Sequence, residues 1–171
     1  VKYFAFLLLA ILSSAAANVD EKSASWHAAT ASDLREWIPA RAPVEREHIE
    51  TEFRTASGIK DPKGKYVAGV VLITAGYAAE GKYSNFFLTQ ANIKVGDISL
   101  PPGEYVFGWR RKDDDSLAVK FYDAQSGKCL GDVEAKRLTS GHRVESFRIA
   151  PPAEQAMIQV GRFAMTYRLV E

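Results

Sequence analysis

Tyr105-Val106-Phe107-Gly108-Trp109-Arg110 alternates large aromatic side chains with small, aliphatic or charged ones. A period of two sends successive side chains to opposite faces of a pleated sheet, whereas a helical face recurs every three to four residues. Just upstream, Ile93 to Leu100 reads as another extended run, and Pro101-Pro102-Gly103 separates the two. Proline presets φ near −65° and lacks an N–H donor, and glycine admits positive φ, so the triplet must interrupt a ladder. The spacing predicts strand, tight turn, strand over 93–109.

Comparable runs fill the chain. Tyr66 to Ala75 is almost continuously apolar, as in a strand covered on both faces. Tyr83 to Gln90 follows the Glu80-Gly81-Lys82 turn. Leu117 to Tyr122, Cys129 to Lys136, Val144 to Ile149 and Met157 to Val170 follow at intervals of about 8–14 residues. In the last run the alternation changes phase: Ile158 and Val160 are even-numbered, while Phe163, Met165, Tyr167 and Leu169 are odd-numbered. A bulge or strand break at Gly161-Arg162 would bring both sets to one inward face.

The helical content is small. Ser32 is expected as an N-cap, with Asp33 in the first turn, Leu34, Trp37 and Ile38 on one face, and Pro39 as the stop. This short helix is the natural cover for the Tyr66 run. Residues 44–56 fit either period: Ile49, Phe53 and Ala56 suit a helix, with Pro43 tolerated near its start. Ile49, Thr51, Phe53 and Thr55 also alternate with Glu50, Glu52 and Arg54, and Thr and Phe favour the strand. The expected fold is therefore mainly β: an antiparallel β-sandwich of the immunoglobulin-like or transthyretin-like class, with a short N-terminal helix.

Residues 1–17 combine Lys2, a short apolar run and small residues ending in an Ala-x-Ala site, the layout of a signal peptide cleaved after Ala17. Residues 18–31 lack an apolar period and are expected as a linker, leaving 32–171 as one domain. Removing Lys2 takes the formal charge from +1 to about zero, with the signs interspersed. No basic stripe of the kind nucleic acids require is present, and no membrane span is expected after cleavage. Cys129 has no cysteine to pair with inside the chain and is expected to be buried as a small hydrophobe in its strand.

Chemistry-bearing patterns are few. His27, His48 and His142 are scattered; His48 and Glu52 would share a helical face, but no third ligand or HExxH pattern accompanies them. Asp113-Asp114-Asp115 lacks the spacing and distal Glu of a calcium loop and reads as a solvated turn. The nucleophile elbow, the phosphate loop and the dinucleotide fingerprint are all missing. Glu47, Glu50 and Glu52 are the carboxylates that acid–base work would use. Tyr105, Phe107 and Trp109 suit either a sugar platform or a core, and core is expected. No catalytic, cofactor-binding or metal-ligating residue is assigned.

The stretch Ile93 to Tyr105, with Leu100-Pro101-Pro102-Gly103-Glu104-Tyr105 at its centre, resembles uncharacterised secreted bacterial β-sandwich proteins with an L-P-x-G-x-Y hairpin. Gly127-Lys128 and Gly131 to Ala135 extend the likeness, which covers roughly 83–136. It implies architecture and export, and it brings no catalytic residue. The expectation is a secreted or periplasmic, non-enzymatic protein that binds a protein or glycan partner or is structural in the envelope, with no cofactor. The alternative is a small secreted hydrolase using carboxylates around Glu47 to Glu52.

Overall fold

The computed structural model describes residues 25–170, so the expected signal peptide and its cleavage site lie outside the described residues. The chain starts with β1 (His27–Ala28), α1 (Ala31–Trp37), β2 (Arg41–Val44), β3 (Glu47–Lys60), β4 (Tyr66–Leu72) and the one-turn α2 (Gly76–Ala79). Next come β5 (Asn85–Thr89), β6 (Asn92–Val95), β7 (Ile98–Leu100), β8 (Gly103–Arg111) and β9 (Ser116–Asp123). The last four are β10 (Cys129–Arg137), β11 (Glu145–Ile149), β12 (Met157–Gly161) and β13 (Phe163–Val170). Among the described residues, no helix is long and apolar enough to cross a membrane.

The expectation of a mainly β, antiparallel chain holds. A sandwich divides its strands between two sheets; here one hydrogen-bonded path runs β1-β3-β4-β5-β8-β9-β10-β13-β12-β11. It curls until β11 lies beside β3, where Ile149 N donates to Ser57 Oγ at 2.9 Å. The sheet is thus nearly closed into a barrel.

Alternation along the strands fills the interior and also builds a second core outside it. Phe87, Phe107 and Phe121 meet in the barrel with Val67, Phe147, Ile158 and Tyr167. On the outer face of the same strands, Ala68, Val70, Leu72, Phe86 and Val106 pack against Leu34 of α1, Ile38 just after it, and Ala42 and Val44 of β2. That double covering explains why β4 is apolar throughout, and α1 is its expected cover. Trp37 stacks on Tyr66 with ring centroids 4.1 Å apart.

The helix starts two residues earlier than expected, and its cap is Thr30 instead of Ser32. Thr30 Oγ1 accepts from Asp33 N while Asp33 accepts from Thr30 N, a reciprocal box that Ser32 has no acidic residue in place to form. Lys60 lies 2.7 Å from the Asp33 carboxylate. The Lys60 hydrogen bond, with those from Thr30, lowers the Asp33 pKa from 3.8 to about 2. A depressed carboxylate stabilises the fold above its unfolded pKa, and that contribution is lost as pH falls through the folded value. Thermal melts between pH 5 and pH 2 should therefore show a smaller acid-induced drop in Asp33→Asn than in the parent.

Several expectations need correction. Ile93 to Leu100 is not one strand: the chain reverses at Gly96, whose φ is 55°, and β6 pairs with β7. β7 does not pair with β8 across Pro101-Pro102-Gly103; β8 pairs instead with β5 and β9. The strand break expected at Gly161-Arg162 is present: a hairpin turn makes it, with Val160 opposite Phe163 and Gly161 at φ 62°. Ile158, Val160, Phe163, Met165 and Tyr167 do share the interior, and Leu169 packs against it. Residues 47–60 are strand, and Pro43 sits in β2. Within the stretch expected as linker, Trp26 is buried and His27–Ala28 pairs with Ile59 and Lys60.

Cys129 is exposed, against the expectation of burial. The β9–β10 register shifts between Cys129 and Gly131, which turns the first residues of β10 out of phase with the buried face. The thiol is expected to react fully with iodoacetamide in the native protein within the time needed for the denatured one. Protection until denaturant is added, read by intact mass, would contradict this placement.

Candidate functional site

The seam between β3 and β11 is where the barrel comes closest to having an opening. β3 loses register with β4 between Glu52 and Ser57, so backbone groups there need other partners. Thr55 supplies them: its Oγ1 accepts from Val71 N at 2.9 Å and donates to Glu52 O at 2.7 Å. Across the gap β11 is bonded along one edge to β12. Its other edge faces Ser57, whose hydroxyl stands where a neighbouring strand's carbonyl would be.

A cleft of about 300 Å3 opens at this seam, with Arg54 to Ser57 on one wall and Glu145 to Arg148 on the other. The rim charges are paired. Arg54 bonds Glu52 at 3.0 Å, Arg143 lies 3.5 Å from Glu145, and Arg148 is bound to Glu154. Phe147 is itself buried in the barrel core, and its ring lies over Gly69, so closely that a Cβ there would be 2.8 Å from Phe147 Cζ. Hydroxyls, guanidiniums and a carboxylate make a surface for hydrogen bonding.

The residues singled out from the sequence gather elsewhere or not at all. Glu47 accepts from the Tyr77 hydroxyl at 3.2 Å. Glu52 is held below the usual carboxylate range by its hydrogen bonds from Arg54, the reverse of what a general acid needs. Glu50 and His48 are exposed on the same strand, His27 lies on β1 and His142 in the loop after β10. Among the described residues, no group of three His, Cys, Asp or Glu side chains could hold a metal ion.

Asp113 to Asp115 form the β8–β9 turn. Asp113 accepts from Ser116 Oγ and Asp115 N, both at 2.9 Å, which lowers its pKa. Asp114 faces Arg111 and Asp115 faces Arg137. Tyr105 and Phe107 are core residues, as expected, but Trp109 is 38% exposed at the end of β8. Ile73, just after β4, and Val144, just before β11, are exposed at the same end of the barrel.

Two features escaped the sequence. Glu45 takes a left-handed φ of 54° in the two-residue β2–β3 turn, where glycine is the usual choice. The buried Tyr83 hydroxyl donates to its carboxylate, and burial together with Glu45 pushes that phenol far above the ordinary range. The second is Asn85, 2% exposed on β5, whose Nδ2 has no hydrogen-bond partner. Its one visible signal is a polar side chain opening the apolar run Asn85-Phe86-Phe87-Leu88. No protein-family model matches the chain, and neither a curated protein nor a solved structure with significant similarity to it was found.

Proposed function

We propose that this chain is an exported, non-enzymatic glycan-binding module whose ligand site is the cleft between β3 and β11. The observation that carries this reading is the cleft's polar lining, to which Ser57, Glu145, Ser146 and Arg148 contribute. Sugars present many hydroxyls, which call for a lining rich in hydrogen-bonding groups. The hydrolase alternative is less favoured, because Glu52 is tied to Arg54 and Glu47 to Tyr77. In the same reading the barrel is flattened, with its two halves facing each other as a sandwich's sheets do.

The test is retention on an immobilised glycan panel followed by titration with the retained sugar. Arg148→Ala should weaken binding about tenfold, the usual worth of one charge-assisted hydrogen bond. Failure of every glycan to be retained, or equal retention by the variant, would remove the proposal. A protein partner is the second reading, favoured by Ile73, Trp109 and Val144 standing exposed at one barrel end. Trp109→Ala would abolish that interaction and leave glycan binding intact.

A further inference from the structure

We infer that displacement of the Phe147 ring joins the seam cleft to the side-chain amide of Asn85, and that the sugar the cleft takes carries an acetamido group. This rests on the glycan reading above and names the ligand class of that same site. Asn85 has the strand parity of Phe87, a residue of the barrel interior, and stands opposite Val71 on β4 and Phe107 on β8. Its Nδ2 is buried and unpartnered. An unmade buried donor is costly, so a fold that keeps one calls for an explanation.

Phe147 links this amide to the cleft. The residue contributes to the cleft's lining, while its ring lies on Gly69, two residues from Val71, and sits 6.2 Å from the Phe107 ring. It thus separates the open space from the row Val71, Asn85 and Phe107. The strand carrying it is lightly held: among the described residues, the bond from Ile149 N to Ser57 Oγ is the one hydrogen bond joining β11 to β3. Displacement of the ring would join the cleft to a subsite with one amide donor and walls made by Val71, Phe107 and Phe147.

Ligand chemistry follows from those walls. The donor calls for a strong acceptor such as a carbonyl oxygen, and the apolar surroundings call for a methyl group beside it. An acetamido substituent brings both on adjacent atoms, and its N–H is left for the Ser57 or Ser146 hydroxyl. A hydroxyl substituent brings an acceptor but leaves the apolar wall uncovered. The cleft's volume of about 300 Å3 is enough for one sugar ring.

The experiment is an NMR titration of the full chain with two matched pairs: N-acetylglucosamine against glucose, and N-acetylgalactosamine against galactose. At least one acetamido sugar should bind about tenfold or more tightly than its hydroxyl partner, with transfer of magnetisation from the acetyl methyl to the Phe147 ring. Asn85→Leu should raise the melting temperature, because the unpartnered donor is gone, and should erase the preference. Equal binding within both pairs, or a preference that survives in Asn85→Leu, would overturn the acetamido assignment and leave the glycan reading standing. A lower melting temperature in a folded Asn85→Leu would overturn it as well, since the amide would then be satisfied inside the fold. If that variant does not fold, the methyl-to-Phe147 transfer in the parent decides. No binding by any of the four sugars would overturn the acetamido assignment, and the immobilised panel then decides the glycan reading by itself.

Discussion

Gly108→Ala is expected to lower the stability by on the order of 4 kcal/mol or more, or to prevent folding, although it adds one methyl group. The added Cβ would fall on the carbonyl oxygen of Lys82. The obstacle is backbone, so no rotamer change relieves it. The segment from Glu80 to Ser84 crosses the outer face of β8 at this point. It is held there by Arg110, whose Nε and Nη2 donate to Glu80 O at 2.9 and 2.6 Å, and by Ser84 N, which donates to Phe107 O at 2.9 Å. Making room therefore breaks bonds on both sides of the glycine. In a chain of this size the loss corresponds to a melting point roughly 8–16 °C lower. A variant that melts within about 2 °C of the parent would show that the crossing is not as close as described.

Phe107→Ala is expected to cost about 3–5 kcal/mol, whereas Trp109→Ala, two residues along the same strand, should cost about 1 kcal/mol or less. The two aromatics share strand parity and differ in depth. Phe107 is fully buried, with its ring 4.9 Å from Phe121 and 6.2 Å from Phe147, so truncation leaves a cavity in the middle of the barrel. Trp109 lies at the end, opposite Val119, with more than a third of its surface in water. Chemical denaturation of the two variants, compared at matched slope, measures the difference. Similar losses would mean that Trp109 is a core residue after all.

The contrast between these neighbours also shows what was legible in the residues. Alternation identifies strands because it is local: Tyr105 and Phe107 face inward for the same reason that Val106 faces outward. How far along a strand the core extends depends on which other strands surround it, and nothing within 105–109 records that. Gly96-Asp97 was as good a turn as Pro101-Pro102-Gly103, yet the prolines drew the boundary and hid a hairpin. Thr30 and Asp33 stand at capping-box spacing, while Ser32 lies next to the apolar run and so competes for the cap when the residues alone are read. The candidate site was not legible. Ser57 and Ile149 are 92 residues apart, and a serine, a phenylalanine and an asparagine carry no spacing that announces a cleft.

The Ser57 closure sets how the molecule fluctuates. β4, β5, β8 and β9 are each hydrogen-bonded on both sides, so their amides should exchange with solvent through near-global unfolding. β11 is bonded along one edge and latched on the other by a hydroxyl, so its amides belong to a local opening of much lower free energy. The barrel is therefore a rigid arc ending in a hinged last stave. A ligand that bridges the seam suppresses the local opening of that stave, and because it binds only the folded chain it also slows the arc, whose exchange needs near-global unfolding.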